Sequence, residues 1–340
     1  MSSYNKPYLT FDQQLELLKS RGLEVTNHQT ALMYLKRVGY YRLSGYWYPF
    51  REMIAPNELQ HAPIKHLRKD NFVINSKLQD VINLYIFDKK LRILLLDAIE
   101  RIEVSVRVNI AYLLGKYDRF AYLNPELLHG HFVKKRDSRT GKTVYDKWLV
   151  NLEQLIGRSH EDFVKHYKEK YGLPLPIWVA IELWDFGMLS KFYQGMRVND
   201  KLNISKQYGI SDWRVMQSWL RTLNYIRNCV AHHNRLWNRN LLDRPKLPAY
   251  NEIISFNPLL TNKKTHTRIY VVLCIVSHLL QNISPKSSWN KRLFSLMETF
   301  PKTSVINISS MGFPEDWKHH NFWDNVMLRK TELILEAEYL

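Results

Sequence analysis

Residues 75–115, NSKLQDVINLYIFDKKLRILLLDAIERIEVSVRVNIAYLLG, keep apolar side chains at spacings of three and four for roughly forty residues, the helical period. The stretch predicts one long helix or two end to end, with Gly115 placed to close it. Arg92, Glu100, Arg101, Glu103 and Arg107 ride among its Leu and Ile residues. The roles of Glu100 and Glu103 stay open, as does that of Glu182 further on.

Working outward, the same period recurs on both sides. Thr10 and Gln13 form a capping box ahead of FDQQLELLKSRG, which Gly22 ends, and a second helix starts after Thr26 and stops at Gly39. YYRLSGYWYPFRE then interleaves Tyr40, Tyr41, Tyr46, Trp47 and Tyr48 with Arg42 and Arg51. That pattern suits either a stacking and phosphate-contact surface or a buried aromatic corner. Residues 52–70 are polar and irregular. On the other side, HGHFVKKRDSRTGKTVYDKW (129–148) is a basic, turn-rich insert, a loop or hairpin. Its GKT is no phosphate-binding loop, because Arg136 stands where that motif needs glycine.

Leu152 to Tyr171 reads as one amphipathic helix, ended by GLPLP. PIWVAIELWDFGMLSKFYQGM reads as another, with Ile177, Ile181, Trp184, Met188 and Phe192 inward. Ser211 caps the helix that follows. Beyond Trp237 come a proline-marked loop, helices around 265–281 and 288–299, and a closing helix after MGFPEDWKHHNFW. Alternating strand patterns are nearly absent, so the fold expected is all-α. Its regions are an N-terminal helical and aromatic part (1–70), a helical core (71–240) carrying the insert 129–148, and a helical extension (241–340).

The 340 residues allow one large or two ordinary domains. Lys+Arg 49 against Asp+Glu 32 gives a net charge of +17, which predicts an anionic partner, nucleic acid being the commonest. An interaction protein without RNA is hard to square with that charge. The cations expected to contact RNA are Lys36, Arg37 and Arg42, the insert's Lys134, Lys135, Arg136, Arg139 and Lys142, and Arg221 and Arg235. Phosphate contacts of this kind weaken steeply with salt. Cys229 and Cys274 are the only cysteines, too few for a disulfide framework or a cysteine-rich zinc module, which fits a reducing, cytoplasmic setting. The start MSSYNKPYLTFDQQ has no signal-peptide run. Ile269–Leu280 is too short for a bilayer, which needs about 20 apolar residues, so no membrane association is expected.

The candidate chemistry gathers in LRTLNYIRNCVAHHNRLWNRN (220–240). Wound at about 100° per residue, Trp219, Leu223, Ile226 and Val230 share one stripe. Arg221, Asn224, Arg227, Asn228, His232 and Arg235 fall opposite, and His233 falls near the apolar stripe. Arg227, Asn228 and His232 are the catalytic candidates. The imidazole can take or give the proton of a 2′-hydroxyl attack, the guanidinium can stabilise charge on the phosphate, and Asn228 can orient the pair. This set suits cleavage of an RNA phosphodiester with no metal and no cofactor: His232 and His233 point to different faces, and no carboxylate lies nearby in sequence. One histidine serves poorly as both base and acid, so a symmetric homodimer is expected, with the polar face toward the partner.

At these residues the chain resembles a known family. Arg227-Asn228 followed by His232 matches the Arg-x(4–6)-His signature of HEPN ribonucleases, and RNCVAHHNRLWNR looks like the Abi-like abortive-infection proteins of bacteria. The resemblance extends to VGYYRLSGYWYPF, FDKKLRILLLDAIERIEVSVR and LPIWVAIELWDFGMLSKFY, and so over most of residues 10–240. It implies a HEPN-type helical bundle, usually dimeric, with Arg227 and His232 of two protomers forming one metal-independent ribonuclease site supported by Asn228. It also implies a role in phage defence, as a toxin or abortive-infection effector. The alternative is a non-catalytic module that holds a structured RNA.

Overall fold

The long apolar stretch forms one unbroken helix, Leu78–Gly115, of 38 residues and therefore about 57 Å at 1.5 Å per residue. The computed structural model describes residues 6–55, 67–261, 265–320 and 323. Among these the helices are α1 (Phe11–Ser20), α2 (His28–Val38), α3 (Tyr40–Trp47), α4 (Leu78–Gly115), α5 (Gly130–Lys134), α6 (Val144–Arg158) and α7 (Asp162–Tyr171). They continue as α8 (Ile177–Ala180), α9 (Phe186–Gly195), α10 (Val198–Gln207), α11 (Trp213–Ala231), α12 (Asn257–Thr261), α13 (Ile269–Ile283) and α14 (Trp289–Glu298). Among the described residues the fold is all-α but for one short antiparallel pair, β1 (Arg51–Met53) with β2 (Arg68–Phe72).

The helix α4 is the axle of the bundle. Leu84, Asp88, Leu91, Leu95, Ala98, Ile102, Val106, Ile110 and Leu114, spaced three and four apart, are all completely buried. Packed on α4 are α3, α8, α9, α11, α13 and α14, so segments from all three sequence regions share one core. The apolar run Ile269–Leu280 is buried at every position within α13, as expected of a helix that is hydrophobic all round. Among the described residues no helix is long and apolar enough to cross a membrane.

Several elements differ from the sequence expectation, each for a local reason. The supposed single helix to Tyr171 is two, α6 and α7. Ser159 takes an extended backbone there, and its hydroxyl accepts the Glu161 N–H at 3.4 Å, an alternative to helical bonding. The next is also two: Asp185 accepts the Met188 N–H at 2.8 Å as the cap of α9, so Trp184 leaves the helix while staying buried. The central helix α11 is capped by Asp212, not by Ser211, whose hydroxyl donates to Glu252 at 2.6 Å. The aromatic segment forms a third N-terminal helix, α3, and the irregular segment after it contributes the β-pair. The closing helix expected after residue 323 lies outside the described residues.

The basic insert is a docked hairpin with helical ends. Arg136 pairs with Thr143 across its turn, and Leu128 pairs with Met196 at the end of α9. Phe132 of α5 lies on Gly195 so closely that a Cβ there would sit 2.3 Å from the ring. Gly195→Ala is therefore expected to cost about 1–3 kcal/mol by overpacking. A thermal melt would show it, and an unchanged midpoint would contradict the docking.

Candidate active site

Helix α11 places the candidate residues. Val215, Met216, Trp219, Leu220, Leu223, Ile226 and Val230 are buried, and the helix ends just past Ala231. His232 is the C-terminal cap. The chain then turns through His233 in the left-handed region, φ 55°. The His233 N–H bonds to the Val230 carbonyl at 3.0 Å and the Asn234 N–H to that of Cys229 at 2.9 Å, the paired bonds of a Schellman stop. Both histidines are exposed. The expectation that His233 falls near the apolar stripe is thus corrected: the helix has ended, and a helical projection no longer applies.

What fixes this turn is a buried carboxylate that the sequence reading passed over. Asp88, on the core stripe of α4, accepts the Trp237 N–H at 2.7 Å and the Leu236 N–H at 3.2 Å. Its other oxygen accepts from the Tyr46 hydroxyl at 2.7 Å and from Arg92 at 2.5 Å. Four donors fill the acceptor sites of an ionised carboxylate. Burial pushes the Asp88 carboxyl up, while Arg92, Tyr46 and the two amides pull the other way. The turn is held from α3 as well: Arg42 donates to the His233 carbonyl at 2.8 Å, and Arg235 donates to that of Gly45.

The catalytic candidates divide between two places. His232 and Asn228 are exposed, one turn apart at the end of α11, joined by the His232 N–H to the Asn228 carbonyl at 3.0 Å. Arg227 is half-buried on the flank that faces α4, where its charge acts on Glu103. Burial raises the Glu103 carboxyl, and Arg107, at 2.5 Å, and Arg227 lower it. Arg107 also donates to the Trp184 carbonyl at 2.6 Å, which ties this charged cluster to the break before α9. Glu100 and Glu182 are exposed.

The expected RNA contacts scatter over the surface. Arg221 is exposed and faces Asp243 at 3.6 Å. Arg235 lies beyond the helix and turns under α3, so its expected place on the helical face is corrected. Lys36, Arg37, Lys134, Lys135, Arg136, Arg139 and Lys142 are all exposed, the last five on an insert that packs on α9. The aromatic segment divides: Tyr46 and Trp47 are buried, while Tyr41 is 91% exposed. Among the described residues no group of three or more His, Cys, Asp or Glu side chains is placed to hold a metal ion.

Residues 33–238 match a family model described as Abi-like protein, a span that holds Tyr46, Asp88, Arg92 and the whole of α11 with its turn. No curated protein matches the chain. No solved structure matches it either.

The left-handed turn makes His233 an informative position. Replacing it with glycine should leave stability unchanged or raise it by up to about 1 kcal/mol, because a Cβ in this region is strained. His233→Val should cost about 1 kcal/mol or more. Urea titrations check both, and a large loss in the glycine variant would contradict this placement.

Proposed function

The chain belongs to the Abi-like protein family, and from that premise we propose that it is a HEPN-type RNA-binding protein of abortive-infection defence, a metal-independent endoribonuclease. The observation that carries the reading is the end of α11. An exposed imidazole sits on a turn clamped by Asp88, on the same helix as Arg227, in a chain of net charge +17. In this mechanism His232 removes the proton of a 2′-hydroxyl as its oxygen attacks the adjacent phosphorus. Arg227 stabilises the extra negative charge of the five-coordinate phosphorus, and Asn228 orients the participants.

Departure of the 5′-oxygen needs a proton, and a second copy of the chain is the natural source of the second imidazole. Exposed Leu96, Val104 and Val108 on α4, beside Glu103, offer apolar surface for that copy to cover. A homodimer with a shared site is therefore part of the proposal.

One observation favours a second reading, a binding module without catalysis. Arg227 is half-buried while His232 is exposed, and among the described residues no hydrogen bond joins their side chains, so one copy of the chain does not bring the two together. Metal-free cleavage of RNA that copurifies with the protein separates the two. His232→Ala and Arg227→Ala should each slow cleavage by about 100-fold or more, by analogy with removal of one charge-stabilising donor. Folding should be little changed, since neither side chain is in the core. Intact RNA after incubation with the wild-type protein would favour the binding module. Wild-type rates from His232→Ala would remove this histidine from the chemistry.

A further inference from the structure

Between α3 and the segment after α11 lies a groove of about 660 Å³, a volume typical of small-molecule sites. One wall carries Tyr41 with Ser44 and Gly45, and the other carries Tyr225, Arg235 and Arg239. Tyr41 is 91% exposed, although Tyr46 and Trp47 of the same helix are buried at 2% and 0%. The core of α3 makes no use of this ring, and its faces are open.

The opposite wall supplies positive charge. Among the described residues neither Arg235 nor Arg239 forms an ion pair with a carboxylate. Arg239 is positioned by its own chain: Nε donates to the Arg235 carbonyl at 3.0 Å and Nη1 to the Tyr225 hydroxyl at 2.8 Å. Among the described residues its Nη2 has no hydrogen-bond partner. Asn238 and Asn240, also on the lining, carry side-chain amides of the kind that read base edges.

We propose that this groove holds one unpaired nucleotide of a single-stranded RNA, its base stacked on Tyr41 and its phosphate held by Arg239. The assignment rests on the RNA reading above and names the form of RNA. A base within a duplex is already stacked and cannot lie on a side-chain ring, whereas an unpaired base can. The groove also adjoins the candidate chemistry in sequence: Tyr225 precedes Arg227 by two residues, and Arg235 follows His232 by three.

The test is fluorescence anisotropy with a labelled oligouridylate, an abasic ribose-phosphate strand of equal length, and a duplex. The wild-type protein should bind the oligouridylate about tenfold more tightly than the abasic strand, the scale of one base–aromatic stack, and more tightly than the duplex. Tyr41→Ala should erase the preference for bases and Tyr41→Phe should keep it, while Arg239→Ala weakens both single strands alike. Tyr41 is exposed, so a melting curve for Tyr41→Ala should match the wild type. Salt-sensitive binding with no preference for bases, or with a preference that survives Tyr41→Ala, overturns the groove assignment and leaves the RNA reading standing. Absence of binding to every strand overturns both.

Discussion

A carboxylate enclosed by apolar helices is costly unless donors surround it, and Asp88 has four. They arrive from three separate parts of the chain. Tyr46 comes from α3, Arg92 from the next turn of α4, and the Leu236 and Trp237 amides from the segment after α11. Because Asp88 and Arg92 are both buried, loss of either would strand the other's charge. The interaction thus acts less as a source of stability than as a specification of geometry. It ties the post-helical turn to α4 through the Leu236 and Trp237 amides.

That constraint explains how exposed residues can be held accurately. His232 makes no side-chain hydrogen bond to the described residues, and Asn228 is equally open, yet the backbone that carries them is fixed from both ends. Before them the apolar face of α11 is buried on α4 and α13; after them Asp88, Arg42 and Arg235 hold the chain. The groove beside Tyr41 follows from the same arrangement, since α3 reaches the turn through Tyr46, Arg42 and Gly45. The exposed end of α11 and the groove beside Tyr41 are two consequences of one packed junction.

Much of this was legible in the sequence because period is a robust signal. The three–four spacing of residues 75–115 announced a helix, and Thr10 with Gln13 announced a capping box that is present. The errors lie where one polar residue competes with the period. Ser159, Asp185 and Asp212 each bond a nearby backbone N–H and interrupt or begin a helix, and a projection that counts only apolar residues cannot register this. His233 was misplaced because a helix stop depends on φ, which a helical wheel does not represent. Asp88 went unread because a carboxylate at a core position resembles a lapse in the pattern. The available signal was Arg92 four residues on, the spacing at which two side chains on a helix meet.

Hydrogen exchange at the Leu236 and Trp237 amides tests the role of Asp88 most directly. If the carboxylate anchors the turn, both amides in the wild-type protein exchange only through large-scale opening, as slowly as the buried amides of α13. In Asp88→Asn that protection should fall at these two positions while α13 keeps its own. Exchange at Leu236 and Trp237 as fast as in an exposed loop, or protection unchanged in Asp88→Asn, would contradict the account.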